Sequence, residues 1–278
     1  MQNSIQTQGI ALPRLGLGTF RMKGYDCQAA VESALELGYT HLDTAQMYAN
    51  QDAVGAAIEI TGMARSSLHV TTKVWHENLT PDGVRRSFDE SLQALKLDYV
   101  DLYLIHWPSQ NMDLPALFEV LESFRADGRT RAIGVANFNL AMLREVVEEI
   151  QAPIACNQIE YHVLLDQARV LEYLRAHGIP LVAYCPLAQG RLAEHPQLSD
   201  IARKHDATPA QVALKWLLDQ DGVAAIPKAQ HPARQKENLG ALVVNLDDED
   251  RNIIAGLPKN QRLVSPPFAP AWDAPGAA

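Results

Sequence analysis

Short apolar runs alternate with amphipathic stretches along most of the chain. The runs are Leu15 to Phe20, Thr40 to Ala45, Val70 to Trp75, Val100 to Trp107, Thr130 to Asn137, Ile154 to Tyr161, Pro180 to Pro186 and Gly222 to Lys228. Each has the length of a strand. Between them lie segments such as A-A-V-E-S-A-L-E-L-G38, V-L-E-S-F-R-A-D-G128 and V-L-E-Y-L-R-A-H-G178, apolar at helical spacing and closed by a glycine that can take the left-handed C-cap conformation. A strand-like run follows each glycine within a few residues. Alternating strands and helices imply right-handed β-α-β units and a parallel sheet, and eight repeats predict closure into an α/β fold of the (β/α)8, or TIM, barrel type. Residues Ile5 to Pro13 read as an N-terminal β-hairpin, and the proline-rich C-terminal tail from Ser265 is short and has no periodicity. No linker divides the chain, so residues 1–278 are expected to form a single domain.

Composition narrows the function classes. A net charge of -9 and a pI near 5.4 argue against a broad surface for nucleic acid or an acidic membrane, so the basic residues that matter must act locally. No apolar run reaches the length of a membrane span and the first residues lack a secretory pattern, so a cytoplasmic protein is expected, with nothing demanding more than a monomer. The three cysteines, Cys27, Cys156 and Cys185, form no C-x-x-C pair and are expected to be buried, structural thiols in a reducing compartment. Asn78-Leu79-Thr80 matches a glycosylation acceptor, but Thr80 before Pro81 reads as a helix cap.

The polar residues that interrupt the apolar pattern carry the chemistry. Asp43 and Tyr48 lie in T40-H-L-D-T-A-Q-M-Y48, Lys73 in T-T-K-V-W and His106 in L-I-H-W-P, each at or just after the end of a run, where parallel β/α folds hold their reactive groups. Singly, Asp43 and Lys73 would read as an ion pair bracing the barrel, Tyr48 as a half-buried aromatic and His106 as a satisfied core histidine. Together they suit proton transfer to a carbonyl oxygen. An ammonium about 4 Å from a phenol interacts by roughly 4 kcal/mol at an effective dielectric near 20, about three pK units. Lys73 is therefore expected to draw Tyr48 down towards neutrality as a general acid, with Asp43 holding Lys73 and His106 orienting the substrate oxygen.

These motifs resemble those of the aldo-keto reductases. G38-Y-T-H-L-D43-T-A-Q-M-Y48-A-N-Q-D-A-V-G55 is similar to the family's first signature, and Lys73, His106, G134-V-A-N137-F, N157-Q158-I-E-Y and I226-P-K228, followed by Arg234 and Asn238, keep the family's order. The resemblance spans essentially the whole chain and implies a barrel that binds NADPH without a Rossmann domain. Consistent with that, Gly16-Leu17-Gly18 begins a G-x-G but has Arg21 where the third glycine of G-x-G-x-x-G would stand. By resemblance Tyr48 is the acid and Asp43, Lys73 and His106 support it. Cofactor contacts are implied for Gly18, Thr19, Asp43, Asn137, Gln158, Tyr184, Cys185, Pro186, Leu187, Gln189, Lys228, Ala229, Arg234, Glu237 and Asn238. Within that set Asn137 and Gln158 would hold the nicotinamide carboxamide, Tyr184 would stack on its ring, and Lys228, Arg234 and Asn238 would meet the 2'-phosphate and adenine. A lysine and an arginine suit a dianionic phosphate. Two positions depart from the pattern: Ala136 and Ala229 stand where the family usually has hydroxyl- or thiol-bearing residues, which weakens the expected preference for NADPH over NADH.

Phe20, Met47, Trp75, His106, Trp107 and Trp272 are implied to line the substrate side. The segment from Trp107 to Pro115 and the tail are short beside the vertebrate branch of the family, so an open mouth is expected. The closing N-Q-R-L-V-S-P-P-F-A-P-A-W-D resembles the bacterial 2,5-diketo-D-gluconate reductase group, implying small dicarbonyls such as methylglyoxal, keto sugars such as 2,5-diketo-D-gluconate, and aromatic aldehydes as substrates. Two other readings compete: a Schiff-base aldolase with Lys73 as nucleophile, and a non-catalytic NADPH-sensing subunit. The first would need Lys73 free of Asp43.

Overall fold

The computed structural model describes residues 4–274. Strands β1 (Ser4–Thr7) and β2 (Ile10–Pro13) form an antiparallel hairpin, as the sequence predicts. The barrel strands follow: β3 (Leu17–Gly18), β4 (His41–Asp43), β5 (His69–Val74), β6 (Val100–Ile105), β7 (Thr130–Ala136), β8 (Ile154–Glu160), β9 (Leu181–Tyr184) and β10 (Val223–Ala225). Each pairs in parallel with the next in chain order. The seam closes where Gly16 N donates to the Ala225 carbonyl (2.9 Å) and Gly18 N to that of Pro227 (3.1 Å). At that seam a Cβ on Gly18 would lie 2.7 Å from the Ile226 carbonyl oxygen, so the close approach requires glycine. The fold is therefore a closed (β/α)8 barrel. Most of its ladders are shorter than the apolar runs because the last residues of the runs, such as Thr44, Trp75, His106 and Asn137, already lie in the loops.

Helices α1 (Gly24–Glu36), α2 (Gln51–Thr61), α3 (Pro81–Leu95), α4 (Leu114–Ala126), α5 (Leu140–Arg144) and α6 (Ala168–Ala176) follow the first six barrel strands in turn. After β9 come α7 (Pro196–Lys204) and α8 (Pro209–Leu218), and after β10 come α9 (Pro232–Gly240) and α10 (Asp248–Ala255). Gly38, Gly128 and Gly178 take positive φ at helix ends, as expected. Thr80 caps α3 by accepting from Gly83 N, with Pro81 opening the helix.

Two apolar layers arise from the period-two alternation of the strands. Leu102, Leu104, Ala132, Ala155, Cys156, Val182 and Ala224 pack with Ile10 and Leu12 of the hairpin. The hairpin thus stoppers the N-terminal end, where Thr7 Oγ1 also donates to the Ala155 carbonyl (3.0 Å). Alternate residues, such as Tyr103, Ile105, Ile133 and Val135, pack outward with the helices, including Phe88 of α3 and Phe124 of α4. With the floor sealed and the wall closed, the C-terminal end is left for the loops. Cys27 and Cys156 are buried as expected, whereas Cys185 is only half-buried because its loop lies at the rim.

Candidate active site

At the C-terminal end the barrel interior turns from apolar to charged. Asp43 ends β4 and Lys73 is the penultimate residue of β5; both side chains are essentially fully buried, and Lys73 Nζ meets Asp43 Oδ1 at 2.5 Å. Lys73 also donates to the Thr44 carbonyl (2.9 Å), and Asp43 Oδ2 accepts from Gln158 Nε2 (2.8 Å). A buried charge needs this degree of pairing, since desolvation would otherwise neutralise it. Burial lowers the Lys73 ammonium from its ordinary value, and Asp43 opposes the shift. Lys73 is therefore not the free amine that a Schiff-base nucleophile would require.

Tyr48 approaches this pair from the turn after β4. Its ring centre lies 5.1 Å from Lys73 Nζ and 5.5 Å from the His106 ring, which meets it edge-on at 75°. Ala49 is left-handed (φ 47°), and buried Asn50 fixes the turn by donating to the Thr19 and Met22 carbonyls while accepting from Thr44 Oγ1. Lys23 Nζ donates to the Tyr48 carbonyl (2.6 Å). The expected drop of the phenol towards neutrality is not observed. Burial, then Asp43, raise Tyr48 well above its ordinary value. Tyr48 thus holds its proton at neutral pH, the state a proton donor needs. His106, just after β6, is pushed well below its ordinary value by burial and then Lys73, so the imidazole is neutral. Its Nδ1 is buried without a partner among the described residues.

The residues expected at a cofactor collect along one side of the same rim. Asn137, just after β7, is left-handed (φ 63°); its Nδ2 donates to the His106 carbonyl (2.9 Å) and its Oδ1 accepts from Tyr184 OH (2.7 Å). The two contacts tie the Tyr184 ring, at the end of β9, to the His106 loop. Gln158 lies on β8 against Asp43. Cys185, Ala188 and Gln189 all have positive φ (48°, 47° and 54°), so Pro186 and Leu187 lie in a tight, strained turn. Strain on this scale persists where the surroundings over-determine the backbone, often at ligand sites. Thr19 is buried and donates to the Asp43 carbonyl (2.9 Å), while Gly18 serves the seam. Further round, Lys228 and Arg234 are exposed, and Arg234 pairs with Glu237 at 2.6 Å. Ala229 is buried and Asn238, also buried near the Tyr39 hydroxyl, leaves Nδ2 without a well-formed hydrogen bond among the described residues.

Phe20 and Met47 are exposed, and an aromatic chain runs outward from His106. Trp75 lies 5.2 Å from His106, Phe268 5.5 Å from Trp75 and 5.6 Å from Trp107, and Trp272 5.9 Å from Trp107. The tail supplying Phe268 and Trp272 is pinned at both ends. Buried Glu160 accepts from Leu263 N (2.7 Å), Val264 N (2.8 Å) and His162 Nε2 (3.0 Å), while Asp273 Oδ2 accepts from Leu140 N (3.0 Å) and Asn139 Nδ2 donates to the Ala271 carbonyl.

Sequence reasoning missed Asn50, Glu160 and Phe268. Glu160 carried a readable signal, a carboxylate on an otherwise apolar run; Phe268 did not, because it lies in an aperiodic tail. Among the described residues no helix is long and apolar enough to cross a membrane, and no group of histidine, cysteine and acidic residues is arranged to hold a metal ion.

Comparison with known proteins gives a consistent picture. The family model described as Aldo/keto reductase family matches residues 14–258. The chain is 43% identical over 268 residues to methylglyoxal reductase DkgB of Escherichia coli O157:H7, covering 95% of this chain and 100% of that one. It is 39% identical over 256 residues to glyoxal reductase of Bacillus subtilis (strain 168), covering 92% of each. A solved structure described as a candidate 2,5-diketo-D-gluconic acid reductase B superposes with a TM-score of 0.94 at 39% identity, covering 99% of this chain and 98% of that one.

Proposed function

The chain belongs to the aldo/keto reductase family, and from that premise we propose that it is an NADPH-dependent reductase of small aldehydes and ketones, with Tyr48 as the proton donor. The observation that carries this reading is the Tyr48 phenol set beside the buried Lys73–Asp43 pair and the His106 imidazole. When bound, the dihydronicotinamide supplies a hydride to the carbonyl carbon. As the carbonyl oxygen gains charge, Tyr48 OH donates its proton to it. Lys73 steadies the phenolate left behind, Asp43 keeps Lys73 in position, and the neutral His106 donates a hydrogen bond that orients the oxygen. General acid help of this kind contributes about 10² to 10⁴-fold.

The rim suits a dinucleotide. Tyr184 offers a ring held by Asn137, the strained turn through Cys185, Ala188 and Gln189 suits a close approach to pyrophosphate, and the Nδ2 of Asn238, without a well-formed hydrogen bond among the described residues, suits an acceptor of the kind adenine carries. Lys228 and Arg234 supply positive charge for the 2'-phosphate, without help from a hydroxyl at Ala229. The substrates closest to hand are small dicarbonyls such as methylglyoxal, the substrate in the DkgB relatives' name; 2,5-diketo-D-gluconate is a further one from the structural relative. The proposed unit is a monomer acting in the cytoplasm.

The test follows NADPH oxidation with methylglyoxal by wild type and Tyr48→Phe, with cofactor binding read from fluorescence. Turnover in the variant should fall by at least about 10²-fold while NADPH still binds. A Phe variant of normal activity would overturn the mechanism.

A further inference from the structure

Arg262, in the tail at this mouth, has a guanidinium with no protein acceptor among the described residues. It lies half-buried in the tail and packs its guanidinium on the Trp272 ring, 3.8 Å from the ring centre. Trp272 is held by its own Nε1 donating to Ser265 Oγ (3.0 Å). Among the described residues Arg262 makes no hydrogen bond or ion pair, and its Nη1 is buried with no partner. An arginine withdrawn from water normally answers each buried donor, because an unmet one forfeits its solvation.

The carboxylates around it are engaged elsewhere. Glu160 and Asp273 are near enough to act on Arg262 electrostatically, as is the Tyr184 phenol. Glu160, however, spends both oxygens on Leu263 N, Val264 N and His162, and Asp273 Oδ2 receives Leu140 N. Both carboxylates offset the Arg262 charge from nearby, but neither takes a hydrogen bond from it. A planar fork of donors is thereby left for an external, planar anion, the geometry carboxylates match. Its neighbours indicate which molecule brings that anion. Trp272 continues the aromatic chain that starts at His106, whereas the positive-φ turn suited to pyrophosphate lies beyond Tyr184.

Resting on the reductase reading above, the geometry points to Arg262 as a specificity-determining residue that binds the carboxylate of an acidic carbonyl substrate. The carboxylate stands several carbons from the carbonyl, because Trp272 and Trp107 intervene between Arg262 and the neighbourhood of His106. Substrates of this class are oxo acids with a distal carboxylate, including acidic keto sugars. Neutral dicarbonyls would leave Arg262 unused and be reduced with a higher KM.

The experiment compares 4-carboxybenzaldehyde with the neutral 4-nitrobenzaldehyde in wild type, Arg262→Leu and Arg262→Lys. Removing one charge-assisted contact should raise KM for the acid about 10- to 100-fold in R262L. R262K should recover part of the loss, and neither change should alter kcat/KM for the nitro compound by more than about twofold. An equal loss on both aldehydes would mean that Arg262 only props Trp272 and would overturn the proposal. So would weakened NADPH binding with KM for the acid unchanged, which would assign Arg262 to a cofactor phosphate. Binding of the unreducible 4-(hydroxymethyl)benzoate, followed by tryptophan fluorescence, is the turnover-independent arm. If no aldehyde is reduced but this ligand binds wild type at least tenfold tighter than R262L, the reductase reading fails and the carboxylate site stands. If it binds both alike, the site fails regardless of turnover.

Discussion

Charge compensation at a handful of side chains organises the chemistry. Asp43 and Lys73 are both buried and each is the other's partner, with the Thr44 carbonyl and the Gln158 amide making further hydrogen bonds to them. Replacing Lys73 by methionine would strand a buried carboxylate. We expect K73M to lose about 3–5 kcal/mol of stability, measured as a lower urea midpoint, in addition to its loss of turnover. An unchanged midpoint would mean that the pair contributes nothing to the fold. The identities of Asp43, Tyr48, Lys73 and His106 were legible in the sequence because each interrupts an apolar pattern. The direction of the Tyr48 shift was not. It depends on how deeply the phenol is buried and how near it lies to Asp43, which no spacing reports.

At the scale of elements, the two ends of a strand do different work. Asp43 and Lys73 occupy the C-terminal ends of β4 and β5, while His41 and His69 occupy their N-terminal ends, with ring centres 4.6 Å apart. His41 is lowered by burial against the opposing pull of Asp43, and His69 is pushed well below its ordinary value by burial, then by His41, Arg65 and Arg131. Both folded values lie below the unfolded value of about 6.5, so below that pH the unfolded chain binds more protons than the folded one. Their contribution is intact above pH 6.5 and is lost as pH falls, by up to about 1.4 kcal/mol per pH unit for each histidine. Urea midpoints should drop between pH 7.5 and 5.0, and more steeply in wild type than in His69→Asn. Equal slopes would remove His69 from the account. The apolar runs located all eight barrel strands, yet their lengths were overestimated, because burial continues into loops where ladder pairing has stopped.

For the whole molecule, closure decides what the rest can do. The order of strands and helices implied a barrel, but the seam between β3 and β10 rests on contacts between chain segments some two hundred residues apart, which no local pattern encodes. Gly18→Ala would force a Cβ against the Ile226 carbonyl, and we expect overpacking of about 1–3 kcal/mol, visible as a lower Tm. A variant as stable as wild type would show that the seam can breathe. The reacting groups are rooted in the barrel strands and the turn after β4, and the tail meets them by lying across the rim between Glu160 and Asp273. The span between those anchors behaves like a replaceable cassette. Its residues can be exchanged by mutation without disturbing the proton donor or the barrel, so descendants of one such gene can diverge in diet while inheriting the same reaction unchanged.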